Sequence, residues 1–494
     1  MQNAAAGWLM TGLNPEPLIV ALVQVATTLP MFLFAIPAGA LADILDKRRL
    51  LIAVQVVLTA LVACFSLLVS AGQVSAAGLL AFTFLMGTGA ALIAPSWQSI
   101  VPQLVPREEL PPAVAANSAG INVSRAVGPA LAGFLIGAYG IVAPFWINAL
   151  SNLGIIAALM WWRPAETTAK HLPPERFRGA ILVGLRHARR NSHLRSTLVR
   201  SVGFFIFASA YWALLPLVAR EQIKGGPSLY GFLLGAIGAS AVVGTFTLPF
   251  LKRRLGADGL AVAGTIGTAI GLVLFGLARE PLAGLAASVI SGLSWIAVLA
   301  TLNVSAQVGL PTWVRGRGLA LFGAVQFGAM SLGSAAWGQI AGWIGLSAAH
   351  FVAATGLALS VLVLRRWRLQ TGESLDLNPS MHWPQPVLAH EVDADRGPVL
   401  VTVEYKIDPE NRASFLNALM MLADQRRRDG AFQWGIFEDS ADSGRFVETF
   451  FIESWIEHLR QHERVTEEGR MIQDRVNAFH IGDTAPIVSH LIAA

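Results

Sequence analysis

Long apolar stretches separated by short polar turns occupy the first three quarters of the chain. Most of them hold about 20 residues, the length that an α-helix needs to cross a bilayer. They lie at residues 18–42, 50–70, 76–99, 113–138, 141–162, 196–219, 228–251, 259–278, 282–305, 318–341 and 343–364. Residues 4–13 form a twelfth, truncated stretch. The pattern predicts an all-α, multi-pass membrane protein with twelve helices.

The composition argues against an ordinary soluble protein. Of the 494 residues, 54% are hydrophobic and only 14% are charged, which is too little charge to cover the surface of a soluble chain of this length. Residues 1–365 hold 23 Lys and Arg against 10 Asp and Glu, whereas residues 366–494 hold 13 against 21. This reversal predicts two domains of different kinds. The single cysteine, Cys64, supports neither a disulfide nor a cysteine metal site.

The basic residues lie in turns on one side of the predicted helices. Those turns carry 20 Lys and Arg, beginning with Lys47, Arg48 and Arg49, whereas the turns on the other side carry three. Such an excess marks the cytoplasmic side of a membrane protein. We therefore expect a multi-pass protein of the bacterial inner membrane with both termini in the cytoplasm. Placement in short turns also argues against nucleic-acid binding.

The membrane part repeats itself after 205 residues. This shift places the basic turn 47–49 on 252–254 and Gly133 on Gly338. Two halves in the same orientation are typical of transporters built from parallel repeats, which bind substrate between the halves. The predicted domains are a six-helix half at 1–162, a basic cytoplasmic linker at 163–195 and a second six-helix half at 196–365. Because the counterpart of Ser196 falls before Met1, we expect Met1 to be internal to a longer natural protein.

The stretch GALADILDKRR at 39–49 resembles the signature between helices 2 and 3 of the major facilitator superfamily. The matching residues and the base beside them are Gly39, Asp43, Lys47, Arg48 and Arg49. The resemblance implies a gate, in which Asp43 faces the N-terminus of helix 11 near 317–319 and holds the cytoplasmic side shut. The glycine would let two helices approach closely. A second interpretation needs no gate: the bases orient the helix and Asp43 caps it.

The stretch SRAVGPALAG at 124–133 resembles the helix 5 signature of antiporters in the same superfamily, through Gly128, Pro129 and Gly133. Residues 18–162 resemble the bacterial branch that contains enterobactin-exporter-like permeases. Both resemblances imply export rather than import. The proline removes a backbone hydrogen bond and permits a bend, and the glycine after it permits tight packing. A packed kink without a transport role is the alternative.

Arg125 is the most distinctive candidate for a substrate contact. A charge near the middle of a membrane helix is costly and usually faces a cavity or a partner. Asn122 lies three residues earlier, on the same face of the helix. Pairing with a carbonyl group, or extension to the interface, would explain the arginine equally well. Further candidates, each of which could instead be a packing residue, are Gln24, Trp97, Gln98, Trp212 and Asn303.

The energy source is constrained by two absences from the sequence. Between residues 1 and 365, every Asp and Glu falls in or beside a turn, although proton antiport commonly uses a carboxylate within the membrane. The coupling acid is therefore Asp43 or a residue of the missing part of helix 1, or the coupling is different. The chain also lacks a P-loop Gly-Lys-Ser/Thr signature, which argues against pumping driven by ATP.

The remainder of the chain predicts a linker at 366–397, which is polar and proline-rich, and a small cytoplasmic α+β domain at 398–494. Its strand and helix patterns follow the order βαββαβ, which is ferredoxin-like. Asp408 and Ser454 are the expected caps of its two helices. The segment FIESWIEHLRQHERVT at 451–466 resembles the antibiotic-biosynthesis-monooxygenase family, whose small domains pair into barrels. The resemblance implies a possible homodimer through this domain.

That family includes cofactor-free oxygenases and haem-degrading enzymes. His458 and His462 lie one helical turn apart, a spacing that can bind a metal. On a helix rich in Arg and Glu they are more typical of a solvated face, so we expect neither a metal nor a cofactor.

The leading hypothesis is thus a transporter, not an enzyme, that works by alternating access in the lipid bilayer. It would export a small amphipathic molecule (a siderophore, a natural product or a drug) by proton antiport. The alternative is a membrane-anchored, monooxygenase-like enzyme that acts through the C-terminal domain.

Overall fold

The computed structural model describes residues 1–100, 104–106, 109–162, 191–311, 314–369, 380, 383, 393, 395–482 and 484–493. The chain divides into two compact units. The helical unit consists of residues 1–173, 196–304 and 320–369, and the second unit of residues 174–195, 305–319 and 370–494.

Eleven helices form in the described part of the chain before residue 370. They are α1 (Gln2–Leu13), α2 (Pro17–Ile44), α3 (Lys47–Ser70), α4 (Ala76–Ile100), α5 (Leu110–Tyr139), α6 (Ala143–Trp161), α7 (Ser192–Leu217), α8 (Pro227–Leu277), α9 (Pro281–Val308), α10 (Arg315–Ile344) and α11 (Leu346–Leu364). A short π-helix, Val218–Gln222, follows α7. In their described residues, nine of the eleven are long and apolar enough to cross a membrane.

The apolar stretches of the sequence fall on these helices, with ends that differ by a few residues. The 51-residue α8 holds two of the stretches. Gly256 lies between them with φ 68° and ψ 178°, a backbone conformation that favours glycine. One non-helical residue therefore separates two helical segments where the sequence predicted a longer turn.

Local chemistry explains where several helices begin. Pro17, Pro227 and Pro281 are the first residues of α2, α8 and α9, positions that suit a fixed φ and a missing N–H donor. The carboxylate of Asp46 accepts a hydrogen bond from the Arg49 backbone N–H at 2.7 Å and caps α3. Asp46 is thus the cap of α3, whose first residues are the basic cluster 47–49.

The sequence repeat has a counterpart in helix packing. A methyl group added to Gly133 of α5 would lie 2.8 Å from the carbonyl oxygen of Pro227, the first residue of α8. A methyl group added to Gly338 of α10 would lie 3.0 Å from the carbonyl oxygen of Pro17, the first residue of α2. The two glycines that the 205-residue shift pairs thus each lie against the start of another helix.

The second unit contains a four-stranded antiparallel sheet. Its elements are β1 (Val399–Lys406), α12 (Arg412–Arg428), β2 (Phe432–Glu438), β3 (Arg445–Ile452), α13 (Trp455–Arg464), α14 (Glu467–Asn477) and β4 (Ile487–Ile492). The strand order across the sheet is β2-β3-β1-β4. Burial alternates along β1, so that Val403 and Tyr405 enter a core with Phe415 of α12.

Two helices stand where the sequence predicted one. Ser454 accepts a hydrogen bond from the Glu457 backbone N–H at 3.4 Å and caps α13, at the predicted position. The helix stops before Val465, whose backbone is extended. Thr466 then caps α14 by accepting a hydrogen bond from the Gly469 N–H at 3.2 Å. The order of elements is therefore βαββααβ rather than βαββαβ.

Candidate functional site

The two ends of the helical unit differ in charge. One end, the basic end, carries the basic clusters at 47–49 (the first residues of α3) and 252–254 (in α8, just before Gly256), and the segment 365–368. The opposite end, the non-basic end, carries the turns at 14–16, 140–142 and 223–226. The two halves of the repeat meet along α2, α5, α8 and α10, which run between these ends.

At the non-basic end, α5 and α8 approach until their backbones touch. A methyl group on Gly133 would lie 2.8 Å from the Cα atom of Gly231, and one on Gly231 would lie 2.7 Å from the Cα atom of Gly133. The Ser228 hydroxyl donates a hydrogen bond to the Gly133 carbonyl at 3.4 Å. Small residues are what such a close helix crossing requires.

The contact between α2 and α10 includes a buried polar pair. The hydroxyl oxygens of Thr28 and Ser331 are 2.7 Å apart in a hydrogen bond, and each residue is 4% exposed. Nearer the basic end, Gly328 lies against the ring of Phe32, which would be 2.9 Å from an added methyl group. Packing between the halves thus extends from the start of α2 past its middle.

The short helix α1 joins the same end to the second half. The ring of Trp8 stacks on that of Tyr230, with centroids 5.9 Å apart. The guanidinium of Arg220 lies 5.6 Å from the Trp8 ring centroid and donates a hydrogen bond to the Thr11 hydroxyl at 3.0 Å. These contacts add an aromatic interaction and a cation–π interaction at the non-basic end.

Toward the basic end, three glycines of the helices between the halves have no close neighbour among the described residues. A methyl group on Gly39 of α2, Gly120 of α5 or Gly323 of α10 would meet no atom of the described residues within 4 Å. The close helix approach that the sequence predicted at Gly39 is therefore not made, among those residues, in this conformation. Among the described residues, the close contacts between the halves lie at the non-basic end and in the middle of the helices.

Within the basic turn, Arg48 binds the end of α6. Its Nε donates a hydrogen bond to the Leu159 carbonyl at 2.8 Å, and its Nη2 donates to the Met160 carbonyl. The last carbonyls of a helix have no partner inside the helix, and they carry its partial negative charge. Arg49 is exposed. The side chain of Asp43 lies outside the described part of the chain.

The antiporter-like signature lies on the part of α5 that meets α1 and α8. The helix continues through Pro129, and the Pro129 carbonyl oxygen would lie 2.8 Å from a methyl group on Gly231. A methyl group on Gly128 would lie 3.4 Å from the amino group of Met1. Pro129 and Gly133 are therefore part of the contact between the halves, whereas Gly128 lies against the first residue of the chain.

The candidate substrate residues of the first half lie in separate places. Gln24 is half-buried on α2, one turn before Thr28 of the buried hydroxyl pair. Trp97 donates a hydrogen bond from its Nε1 to the side-chain oxygen of Asn117 at 3.2 Å, close to the basic end of α4. Gln98, beside it, is exposed.

In the second half, Trp212 belongs to an aromatic cluster, 5.5 Å from Trp295 and 5.4 Å from Tyr211 between ring centroids. Its indole N–H is buried and has no hydrogen-bond partner within the described structure. Asn303 donates a hydrogen bond to the Leu299 carbonyl of its own helix at 2.9 Å.

Asn122 and Arg125 belong to α5, and their side chains lie outside the described set. No hydrogen bond or ring contact between described residues joins two of the predicted substrate residues. The contacts that the sequence did not reveal are Thr28 with Ser331 and Trp8 with Arg220. The two residues of each pair are far apart along the chain. The one signal in the sequence is that Thr28 lies one helical turn after Gln24, so that α2 has two polar side chains on one face.

In the second unit, three histidines come together. The Nε2 atoms of His458 and His462 are 3.2 Å apart, and His490 of β4 completes the group. The prediction that His458 lies on a solvent-exposed helix face is wrong, because the residue is 2% exposed. Burial lowers the pKa of His458 to about 3, with smaller contributions from His490, His462 and Arg426. Burial also lowers the pKa of His490.

A buried carboxylate forms a polar network next to this group. Glu448 is 0% exposed and accepts hydrogen bonds from the Trp434 indole at 2.8 Å and the Tyr405 hydroxyl at 3.1 Å. The Nε atom of Arg426 lies 3.6 Å from the same carboxylate. Burial and the neighbouring carboxylate raise the pKa of Tyr405. The network is a buried ion pair whose acid is hydrogen-bonded on both oxygens.

Comparison with known proteins points to transport. A family model described as "Transmembrane secretion effector", of the major facilitator type, matches residues 1–494. The staphyloferrin A transporter of Staphylococcus aureus (strain NCTC 8325 / PS 47) is 24% identical over 258 residues, which are 50% of this chain and 62% of that protein. This match thus spans less than two thirds of the relative. The multidrug efflux pump Tap of Mycolicibacterium fortuitum is 25% identical over 368 residues, 72% of this chain and 87% of that protein.

Solved structures share the fold of the helical part. A POT family transporter in complex with 5-aminolevulinic acid covers 74% of this chain and 92% of its own, with a TM-score of 0.60 and 12% identity. The nucleoside transporter NupG covers 74% and 94%, with a TM-score of 0.56 and 10% identity. At these identities, the likeness concerns the fold alone.

Proposed function

Because the chain belongs to the transmembrane secretion effector family of major facilitator transporters, we propose that it exports a small amphipathic molecule across the bacterial inner membrane. The family makes the protein a multi-pass membrane transporter rather than an enzyme. The relatives named for staphyloferrin A and for multidrug efflux support a siderophore, a natural product or a drug as the class of substrate. The enterobactin-exporter-like features of residues 18–162 support the same direction of transport.

The difference in packing between the two ends carries the alternating-access part of this proposal, and the direction of transport rests on the named relatives. Gly133 and Thr28 lie in close contacts between the halves at the non-basic end and in the middle, whereas Gly39 and Gly323 face open space near the basic end. The excess of basic residues favours the cytoplasm for the basic end. The conformation is then open to the cytoplasm, ready to receive a molecule for export.

Alternating access requires the opposite arrangement in the next step. The α5–α8 and α2–α10 contacts would separate, and the hydrogen bond between Thr28 and Ser331 would break. The basic ends would come together and cover Gly39. In that state Asp43 would face the start of α10, near 317–319, and hold the cytoplasmic side shut.

Substrate and coupling ion are assigned to different residues. Arg125, with Asn122 one turn away on α5, is the proposed contact for a polar group of the substrate, because a membrane arginine is costly without a partner. Gln24 extends the polar surface on α2. Asp43 is the proposed proton-coupling acid, since the other acids before residue 366 also lie near helix ends and only this one belongs to the gate-like signature.

A reversible cross-link tests alternation itself. A methyl group on Gly137 would lie 2.7 Å from the Ser228 hydroxyl oxygen, so that cysteines at both positions fall within reach of a disulfide. In a Cys64→Ser background, Gly137→Cys with Ser228→Cys should form the bond on oxidation. Transport should stop and return on reduction, whereas Ser228→Cys alone should be insensitive. Continued transport through a fully cross-linked protein would contradict the proposal.

Inverted vesicles test the substrate class and the coupling. Siderophores and cationic dyes are added in turn while the internal pH is followed. A proton antiporter should show a pH change triggered by its substrate, and Asp43→Asn should abolish it. Arg125→Ala should weaken the response to the substrate. Transport of a compound without any proton movement would rule out the coupling but not the export.

For the second unit, we propose a ferredoxin-like domain that forms a homodimer. The strand order β2-β3-β1-β4 and the antiparallel pairing support this fold. The edge strand β4 exposes apolar side chains, with Ile487 61% and Leu491 56% exposed, and such an edge favours pairing with a second copy. Ile487→Glu should turn dimers into monomers by mass photometry in detergent, whereas the exposed Met471→Glu on α14 should not.

A further inference from the structure

The three histidines of the second unit come from two elements that are distant in sequence. His458 and His462 lie one turn apart on α13, and His490 stands on β4 opposite Val401 of β1. One ring nitrogen from each residue falls within 4.8 Å of those of the other two. The ring centroids of His458 and His490 are 4.5 Å apart, and those of His458 and His462 are 4.8 Å apart. Folding therefore brings three imidazoles to one point.

The spacing of the nitrogens matches that of ligands around one ion. Zinc binds imidazole nitrogen at about 2.0–2.1 Å with tetrahedral geometry, which separates two ligand nitrogens by about 3.3–3.4 Å. The Nε2 atoms of His458 and His462 are 3.2 Å apart. The third nitrogen lies within 4.8 Å, a gap that a small rotation of the half-exposed His490 ring closes.

Packing alone does not explain the burial of His458. The residue is 2% exposed, and its Nδ1 has no hydrogen-bond partner among the residues that the structure describes. A ring buried this far loses the hydrogen bonds that water would give it, and an ion bound at its Nε2 atom would compensate for part of that loss. Aromatic rings surround the cluster, with Trp455 at 5.3 Å from His458 and Trp383 at 5.0 Å from His462 between ring centroids. They form apolar walls that hold the imidazoles in place.

The geometry points to a binding site for a divalent transition-metal ion of the zinc type, held by His458, His462 and His490. Imidazole ligands suit zinc, copper, nickel and iron, whereas magnesium and calcium prefer oxygen ligands. Three protein ligands leave a fourth coordination position for water or another small ligand. The ion would join α13 to the edge strand β4 and stabilise that edge. The site is independent of the transport proposal, because all its residues belong to the second unit.

Metal binding by the full-length protein tests the site. The protein carries an affinity tag without histidine, is stripped with a chelator, and is titrated with Zn²⁺ under competition from a chromophoric chelator. We expect about one tightly bound ion per chain. His462→Gln and His490→Gln should each weaken binding at least about tenfold, because each removes one of three ligands. Cobalt in place of zinc should give the intense visible bands of tetrahedral coordination.

His480→Gln is the matched control. His480 also lies in the second unit, but its Nδ1 accepts the Lys406 backbone N–H at 2.9 Å and it is not part of the cluster. This variant should bind Zn²⁺ as the unchanged protein does. Hydrogen exchange in β1 and β3 shows that each variant keeps its fold. Equal Zn²⁺ affinity in the unchanged protein and in the His462→Gln/His490→Gln double variant would overturn the proposal. A loss of Zn²⁺ affinity in His480→Gln as large as that in the ligand variants would overturn it too.

Discussion

Arg48 illustrates, at the scale of single residues, how a signature residue can have a structural function in one conformation. The sequence places it in a gate-like turn, and the structure places its guanidinium on the last carbonyls of α6. Glu448 is a second instance, since a carboxylate in a strand pattern gives no sign of complete burial. In both cases a charged group is tied to a partner that is distant along the chain.

Replacing Arg48 tests its part in anchoring α6. Arg48→Ala removes charged donors from the carbonyls of Leu159 and Met160, and hydrogen bonds of charged groups contribute about 1.5–3 kcal/mol. Hydrogen exchange at the end of α6 should therefore become faster by about tenfold or more. The exposed Arg49→Ala is the control and should leave exchange unchanged. Loss of transport with unchanged exchange would instead favour a purely gating function for Arg48.

Removing the buried acid should destabilise the second unit. Glu448→Ala leaves Arg426 buried without its carboxylate and removes the acceptor of Trp434 and Tyr405. Breaking a buried ion pair in this way costs about 3–5 kcal/mol. Hydrogen exchange in β1 and β3 of the full-length protein measures the free energy of opening. Glu438→Ala, which breaks an exposed ion pair with Arg412, should cost less than about 1 kcal/mol; equal effects would contradict this account.

At the scale of helices, glycines determine which pairs can touch. The crossing of α5 and α8 rests on Gly133 and Gly231, whose Cα atoms meet without any side chain between them. The equivalent crossing of α2 and α10 uses Gly338 against the start of α2. These crossings lie at one end, so a single added methyl group can separate the halves there without disturbing either half.

Gly133→Ala should shift the protein away from the conformation described. The added methyl group would lie 2.8 Å from the Gly231 Cα atom, and overpacking of this kind costs about 1–3 kcal/mol. The Gly137→Cys/Ser228→Cys disulfide should then form about tenfold more slowly. Gly154→Ala on α6 is the control, because its methyl group meets no described atom within 4 Å. An unchanged rate of cross-linking would show that the α5–α8 contact is not limiting.

At the scale of the whole molecule, charge and packing asymmetry coincide. The basic clusters lie at one end, and the close contacts between the halves that the described residues make lie in the middle of the helices and at the opposite end. The distribution of Lys and Arg orients a membrane protein, whereas the crossing of the helices determines which end is closed. Neither feature implies the other: the charges favour one orientation in the membrane, and the contacts describe one conformation of the transporter.

Cysteine labelling tests the orientation. In a Cys64→Ser background, Glu16→Cys and Leu45→Cys each introduce one thiol in an exposed turn at opposite ends of α2. A maleimide that cannot cross membranes should label residue 16 in intact cells and residue 45 only after permeabilisation, because basic turns remain in the cytoplasm. The reverse pattern would contradict the proposed orientation and place the basic end outside the cytoplasm.

The sequence alone predicted the long apolar helices and the cap at Ser454, because each depends on neighbouring residues. Asp408 caps a short 3₁₀-helix, Pro409–Asn411, that precedes α12, and not α12 itself. The length of an apolar stretch sets a helix, and a side chain three residues from a free N–H caps it. The sequence did not separate α13 from α14, since the extended backbone at Val465 is a small local deviation.

Only the tertiary structure decided which distant residues meet. Thr28 with Ser331, Arg48 with α6 and His458 with His490 are joined by the folded backbone, and no periodic pattern marks such pairs. The same holds for the conformation of the transporter. The helices are those that the sequence predicts, but which end is packed depends on which of two conformations the halves adopt. The physical reason is that helix formation is local, whereas the choice of contacts between helices is not.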